Sequence, residues 1–418
     1  MSLSLADLIS PLSTQEFFSE YWEKKPLRLS RGEPGFYGDV LTLSDVDSLL
    51  ASGHLQYPAI RLVRDGEELD RRSYLETVPW GSSAFADVAI PEAVFQHFAE
   101  GATIILQALH RRWPPLRNLT RSLESELTFR CQTNIYFTPK GSQGFAAHYD
   151  THEVFVLQVS GSKVWRIYDA PHHLPLGNQK GRDIDIAQLQ EEATLRAGDL
   201  LYLPRGFVHE ALTADDDSLH ITLGLPTVTW QDLIHAVLSQ LKEQPALRSS
   251  LPVGYATLDD FSEVAEMAER KISTAMLAVD WSKVVEDTAL KFITRCQLPL
   301  EGQLAQLKAA QTISGESKVK MRPFITSRLR REGERVHLHF SRKCVTFPSF
   351  IEPALNRLLT GDAYNLSDLE PDLDESGRLV LARRLIAEGF LLVLSPAKPQ
   401  VVENSSQNNT DAALSARW

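Results

Sequence analysis

The sequence predicts an α+β fold, in which strands dominate the middle of the chain and helices follow them. The run Val154–Val159 is rich in β-branched and aromatic residues, which is the composition of a strand. A short apolar strand at Leu200–Leu203 is followed by a Pro-x-Gly turn at 204–206. Between Trp230 and Leu241 the apolar residues recur at helical spacing instead.

Length and composition limit the possible functions. The chain has 418 residues, 43% of them apolar and a net charge of −11, which is typical of a globular protein of two or three domains. No apolar run approaches the roughly 18 residues of a membrane helix. The N-terminal ten residues carry Asp7 and no basic residue, which argues against a signal peptide, so we predict a cytoplasmic protein. The acidic charge argues against nucleic acid as a direct substrate and suits a basic peptide.

Taken in order, the pattern predicts a helical lead-in with a helix starting at Ser13. Strands are then predicted near 27–29, 57–63, 103–109 and 129–139. Helices are predicted between them, at 91–98 and 116–127. Residues 170–197 are interpreted as a loop-rich insertion. The predicted domains are a barrel domain at 1–226, a helical region at 227–313, a small domain of strands and helices at 314–400, and a disordered tail at 401–418.

Three residues are candidate metal ligands. His148, Asp150 and His152 precede the first strand at period two and would share one face if the strand extended over them. His148 and Asp150 would then offer a nitrogen and an oxygen to one point, and His209, after the Pro-x-Gly turn, would be the third ligand. Two histidines and one carboxylate leave three positions open, as in non-haem Fe(II) oxygenases. His220 is the alternative third ligand, but the turn favours His209.

Lys163 is a candidate anion-binding residue. It is followed by Val164–Tyr168, which we predict to be a strand running back beside Val154–Val159. A lysine that projects into an apolar interior is costly unless it meets an anion. The distal carboxylate of 2-oxoglutarate would be that anion, and Thr222, on the same face as His220, could donate a hydrogen bond to it.

These motifs carry a family resemblance. His-x-Asp at 148–150, Lys163 in Gly-Ser-Lys-Val-Trp, and Pro-x-Gly-x-x-His ending at His209 resemble the JmjC branch of the cupin superfamily, and within it the ribosomal oxygenases. Phe-Phe-Ser-Glu-Tyr-Trp-Glu-Lys-Lys-Pro-Leu at 17–27 resembles their opening segment. The resemblance covers residues 1 to about 230 and implies a double-stranded β-helix, the cupin or JmjC jelly roll. It also implies that Asn134 and Tyr136 face the metal and the oxoglutarate, although Tyr136 could equally be a buried ring with a satisfied hydroxyl.

The resemblance further implies a function. Ribosomal oxygenases are protein hydroxylases that depend on Fe(II) and 2-oxoglutarate, so the expected substrate is a histidine or arginine of a ribosomal protein. Lys163 looks closer to the histidine-hydroxylating members, because the arginine-hydroxylating type places arginine there. A serine expected near Gly224 is missing. The helical region would be of the dimerisation type and the C-terminal domain winged-helix-like, so we predict a homodimer.

Other functions remain open at this point. The same centre could remove a methyl group from N-methyl-lysine, or hydroxylate a non-ribosomal protein or peptide. A cupin can also be a non-redox metalloenzyme, although Lys163 and an aspartate ligand argue against this. The chain could finally be a non-catalytic binding module, but such a module would not need all three candidate metal ligands intact.

Overall fold

The computed structural model describes residues 3–394 except 53, 144, 180–187, 214 and 370–371. The chain divides into two compact units, Met1–Phe292 and Ile293–Trp418. The predicted disordered tail at 401–418 and the middle of the predicted insertion, 180–187, lie outside the described residues. The domain boundaries predicted at 226 and 313 stay predictions.

The first unit combines nine α-helices, counted over the described residues, with twelve strands. Its α-helices are α1 Leu5–Ile9, α2 Thr14–Glu20, α3 Leu43–Ser52, α4 Pro91–Ala99, α5 Pro114–Leu127, α6 Trp230–Leu241, α7 Pro245–Arg248, α8 Ser262–Leu277 and α9 Trp281–Arg295, the last extending past the unit boundary. Its strands are β1 Leu27–Leu29, β2 Ile60–Arg64, β3 Glu67–Glu68, β4 Leu75–Trp80, β5 Ser83–Ala89, β6 Thr103–Gln107, β7 Gln132–Thr138, β8 Glu153–Tyr168, β9 Leu189–Arg196, β10 Leu200–Leu203, β11 His209–Leu212 and β12 Ser218–Leu225. Over the described ranges, no helix is both long and apolar enough to cross a membrane.

Strand β8 organises the first unit. Its first half pairs with β10 and β12, within a sheet whose order is β1-β10-β8-β12-β7-β6-β2-β3, and its second half pairs with β9 and β11. One strand therefore belongs to two sheets. The sequence-based prediction of a separate return strand at Val164–Tyr168 is wrong, because these residues continue β8 in the same direction.

Gly161 explains why the strand changes sheets where a turn was expected. Its φ is +65°, a conformation that favours glycine, and a Cβ there would lie 1.7 Å from the carbonyl oxygen of Asp217. The pairing of β8 with β12 shifts register between Leu219 and His220, opposite this point. Such an irregularity bends a strand without ending it, so the Gly-Ser pair before Lys163 marks a bend.

Side chains of β8 alternate between two cores. Phe155 and Leu157 pack with the N-terminal helices in the largest cluster, which also contains Phe17 of α2. Val154 and Val156 point the other way, into a cluster with Trp165. This alternation attaches the helical lead-in to the outer face of the sheet and leaves the inner face to line a cavity.

Several strands of the first unit were missed from the sequence, among them the β4–β5 hairpin and β9. The hairpin of β4 and β5 is mostly exposed, so it lacks the apolar alternation that identifies strands. Strand β9 falls in the predicted loop-rich insertion; its sequence is Leu-Gln-Glu-Glu-Ala-Thr-Leu-Arg and only Ala193 and Leu195 are buried. Pairing with β8 overrides the low strand propensity of β9.

Helices α6, α8 and α9 confirm the predicted helical pattern after residue 226. Val237, Leu241, Ala275 and Val284 form their small core. Over the described residues, one side of α6 is exposed, and Trp230 on it is 82% exposed. Ile234 and Leu238 are more than half exposed at the same helical spacing.

The second unit has its own core and two three-stranded sheets. Its elements are β13 Lys318–Met321, β14 Ser327–Glu332, β15 Arg335–Phe340, β16 Lys343–Pro348, β17 Ala363–Asn365, β18 Leu391–Val393, α10 Gln303–Ala309, α11 Glu352–Leu358 and α12 Glu375–Ala387. The sheet orders are β17-β13-β18 and β14-β15-β16. Strand β13 lies near the start of the domain predicted at 314–400, and its Val319 is fully buried in this core.

Candidate active site

A cavity of about 320 Å³ lies between the two sheets of the first unit. Its lining includes residues from β7, both halves of β8, β11, β12 and the segment before β8. All seven residues predicted for the site line this cavity: Asn134, Tyr136, His148, Asp150, Lys163, His209 and Thr222.

The backbone brings the two ligand-bearing segments together. His148 and His209 form an isolated antiparallel bridge, in which His148 N donates to His209 O at 3.0 Å and His209 N donates to His148 O at 2.8 Å. Gly206 N also donates to Asp150 O at 2.9 Å. Strand β8 does not extend back over His148 as the sequence suggested; the bridge across the Pro-x-Gly turn positions these residues instead.

Both histidines are oriented by the same kind of hydrogen bond. His148 Nδ1 lies 2.8 Å from Ala146 O, and His209 Nδ1 lies 3.0 Å from Phe207 O. A carbonyl only accepts, so each Nδ1 carries the hydrogen and each Nε2 keeps a free lone pair. This fixes the tautomer that a metal ligand needs.

The side chains of His148, Asp150 and His209 converge on one point, with one possible ligand atom of each lying within 4.8 Å of the others. His209 Nε2 lies 3.8 Å from Asp150 Oδ2. Burial, aided by the neighbouring His148, lowers the pKa of His209 to about 4, so its imidazole is neutral at physiological pH. Two imidazoles and one carboxylate are a donor set that fits Fe(II).

Lys163 extends its amino group into the same cavity. The side chain is buried, and its Nζ donates to Thr138 Oγ1 at 3.1 Å. Among the residues that the structure describes, no carboxylate lies within ion-pair distance of this nitrogen. Burial accordingly lowers the pKa of Lys163 to about 7. A carboxylate that entered the cavity would pair with this ammonium group.

The remaining predicted residues surround the lysine and the triad. Asn134 Oδ1 accepts a hydrogen bond from Ala108 N at 3.2 Å, which orients its amide. The Tyr136 ring stacks on His220, with centroids 5.0 Å apart. His220, the alternative ligand, lines the cavity but is not one of the three converging groups. Thr222 lies on the same face of β12 as His220.

A buried ion pair behind the triad was missed from the sequence. Arg205 of the Pro-x-Gly turn donates to Glu153 Oε1 at 3.0 Å and lies 2.7 Å from Glu23. Tyr202 also donates to the Glu153 carboxylate, whose side chain is fully buried. This network joins the start of β8 to the turn before His209. The sequence did indicate this ion pair, because a charged residue such as Arg205, placed between Pro204 and Gly206 in an apolar stretch, requires a partner when it is buried.

Comparison with known proteins agrees with this geometry. The family model described as "JmjC domain" matches residues 108–233, which carry both ligand-bearing segments. This part of the chain is similar in sequence to JmjC domains. The predicted resemblance to JmjC ribosomal oxygenases is thereby confirmed, and the relatives support it.

Three curated relatives show how far the similarity extends. The protein is 30% identical over 353 residues to "Bifunctional lysine-specific demethylase and histidyl-hydroxylase NO66" of Dictyostelium discoideum, covering 78% of this chain and 65% of the relative. It is 34% identical to the protein of the same name from Drosophila grimshawi, covering 60% of this chain and 35% of the relative. It is 33% identical to "Ribosomal oxygenase 1" of Gallus gallus, covering 59% and 41%. The chain thus spans about a third to two thirds of the length of these relatives.

Solved structures share the fold over nearly the whole chain. The Escherichia coli YcfD structure has a TM-score of 0.56 at 17% identity and covers 92% of this chain and 98% of that one. A second structure, of the ribosomal oxygenase YcfD in complex with cobalt and 2-oxoglutarate, has a TM-score of 0.54 at 17% identity, covering 92% and 99%. The chain therefore has the cupin-like JmjC fold of mixed helices and sheets, as predicted.

Proposed function

We propose that this protein is an Fe(II)- and 2-oxoglutarate-dependent oxygenase that hydroxylates a protein side chain. The observation that carries the proposal is the position of Lys163, a buried ammonium group without a carboxylate partner among the described residues, in the same cavity as His148, Asp150 and His209. A metal triad alone would suit many reactions. A triad with an adjacent anion-binding lysine suits a dicarboxylate cosubstrate.

Three side chains would hold the iron. The Nε2 atoms of His148 and His209 are available because their Nδ1 atoms donate to backbone carbonyls. Asp150 Oδ2 faces His209 and would complete the set. Bound Fe(II), together with 2-oxoglutarate and dioxygen, supplies the oxidation that converts a C–H bond to an alcohol and releases succinate and carbon dioxide.

Lys163 and Thr138 would bind the distal carboxylate of 2-oxoglutarate. The ammonium group supplies the charge, and Thr138 fixes the position of Nζ. Thr222, Asn134 and Tyr136 line the same cavity and would orient the rest of the cosubstrate. Val154, Val156 and Trp165 supply apolar walls that exclude water around the reacting groups.

We propose a histidine of a ribosomal protein as the substrate. The names of the relatives support this, since one group is named histidyl-hydroxylase and the Gallus gallus protein is named ribosomal oxygenase. Lys163 in place of arginine agrees with that choice. The same names include lysine-specific demethylase, so demethylation is the outcome that an assay has to distinguish.

The surroundings of the site lead to further proposals. The exposed apolar side of α6, with Trp230, Ile234 and Leu238, supports a homodimer formed through the helical region at 227–313.

The sheets and helices of the second unit support the proposed winged-helix-like domain at 314–400. The acidic residues Asp372, Asp374 and Glu375 oppose a nucleic-acid role for this domain. We propose a cytoplasmic location.

Ligand binding and turnover of the purified protein test this proposal. The wild type should convert 2-oxoglutarate to succinate with Fe(II) present, and faster with ribosomal protein than without it. The His148→Ala variant should lose this turnover, and His173→Ala should not, because His173 is exposed and does not line the cavity. Formaldehyde release from a methylated peptide would indicate demethylation instead. A wild type that neither binds nor consumes 2-oxoglutarate would contradict the proposal.

A further inference from the structure

His152 lies in the wall of the same cavity, two residues after Asp150. Its Nδ1 atom is buried and has no hydrogen-bond partner among the described residues. Buried polar atoms in folded proteins are nearly always hydrogen-bonded. An unpartnered nitrogen beside a candidate metal ligand therefore indicates an interaction that forms when the site is filled.

The two oxygens of Asp150 face different neighbours. Asp150 Oδ2 lies 3.8 Å from His209 Nε2, on the side of the triad. Asp150 Oδ1 lies 4.0 Å from His152 Nδ1. That distance is too long for a hydrogen bond, but a shift of about 1 Å by either side chain would form one. Asp150 Oδ1, rather than Oδ2, is thus the carboxylate oxygen recorded close to the buried nitrogen.

Gly224 makes room for the His152 ring. A Cβ at position 224 would lie 2.7 Å from His152 Nε2 and 2.9 Å from His152 Cδ2, closer than Cβ contacts normally are. Gly224 follows His220 and Thr222 on the cavity-lining face of β12. The missing serine noted in the sequence has a physical reason here, because the imidazole of His152 occupies the space that a serine side chain would need.

We propose that His152 is a positioning residue whose Nδ1–H donates to Asp150 Oδ1 and keeps that carboxylate bound to the metal through Oδ2 alone. The inference rests on the proposed function. A carboxylate that bound through both oxygens would use one more coordination position and leave two open where 2-oxoglutarate and dioxygen need three. Partners of this kind behind metal ligands commonly change metal affinity 10- to 100-fold when they are removed.

The test measures Co(II) affinity of the full-length protein, by competition with a chelator, so that it does not depend on turnover. His152→Asn keeps an N–H donor near the position of Nδ1, and His152→Gln keeps one near Nε2. We expect His152→Asn to bind Co(II) within about threefold of the wild type, and His152→Gln and His152→Leu to bind it about 10- to 100-fold more weakly. The unfolding midpoint of each metal-free variant separates this effect from misfolding.

A second variant tests the ring position independently. Gly224→Ala should displace the His152 ring and weaken Co(II) binding in the wild-type background. It should have little effect in the smaller His152→Asn background, so the two changes should be non-additive.

Three outcomes would overturn the inference. Equal Co(II) affinity in all His152 variants would mean that His152 positions nothing, with the proposed function intact. Wild-type affinity in His152→Gln with loss in His152→Asn would assign the role to Nε2. A wild type that binds no Co(II), or whose binding survives His148→Ala, would overturn the metal centre itself and this inference with it.

Discussion

Lys163→Met should stabilise the protein without ligands and abolish its response to 2-oxoglutarate. The pKa of Lys163 falls from 10.5 in the unfolded chain to about 7 in the folded one. At pH 7.5 this lysine is protonated in the unfolded chain and mostly neutral in the folded one, so folding has to release a proton. Each pH unit between 7.5 and the unfolded pKa of 10.5 costs about 1.4 kcal/mol, which gives roughly 4 kcal/mol. Methionine is of similar length and carries no charge, so the variant should recover up to that amount, less about 1 kcal/mol for the lost hydrogen bond to Thr138.

The sign of the pH dependence provides an internal check. Between pH 7 and 10.5 the folded wild type holds fewer protons than the unfolded chain, so its stability rises with pH. The advantage of Lys163→Met should therefore shrink from pH 7.5 to pH 9.5. Urea unfolding at both values, with and without 2-oxoglutarate and Mn(II), measures this, and Lys140→Met is the control because Lys140 is exposed. A variant less stable than the wild type at pH 7.5, or one still stabilised by 2-oxoglutarate, would refute the reasoning.

Three further predictions follow from the same contacts. The affinity of the wild type for 2-oxoglutarate should fall by up to about tenfold per pH unit above pH 7, because Lys163 loses its proton there. Calorimetry from pH 6 to 9 measures this affinity, and a flat profile would exclude Lys163 as the anion site. Gly161→Ala should destabilise the fold by more than about 2 kcal/mol in urea unfolding, because its Cβ would meet Asp217 O at 1.7 Å; a neutral effect would mean that the bend of β8 does not need glycine. Trp230→Glu and Ile234→Glu should convert a dimer to a monomer in light scattering, and unchanged mass would assign the apolar side of α6 another role.

The sequence was sufficient for the site because its chemistry is local. His148 and Asp150 are two residues apart, and the Pro-x-Gly turn is three residues from His209, so residue types and spacing predicted the three side chains that converge in the structure. The backbone bridge between His148 and His209 was not predictable, because it joins segments about 60 residues apart in sequence. The condition that the strand extend back over His148 is not met, because β8 begins at Glu153 and the bridge positions His148 instead, but the convergence of His148 and Asp150 is present.

The parts of the fold that were missed depend on tertiary contacts. The return strand predicted at Val164–Tyr168 would need a turn before it, and only the close approach of Gly161 to Asp217 shows that this point is a bend within one strand. Strand β9 has too few apolar residues to be recognised without β8 beside it. The role of Gly224 required the position of the His152 ring, which no sequence pattern contains.

Intact-mass comparison of ribosomal proteins tests the central claim most directly. Proteins would be taken from cells that lack this protein and that receive either the wild type or His148→Ala. The account predicts that one ribosomal protein gains a single oxygen atom with the wild type alone, and that peptide fragmentation places it on a histidine. Identical masses in both cells would contradict the ribosomal substrate, and a mass gain that persists with His148→Ala would contradict the metal centre described here.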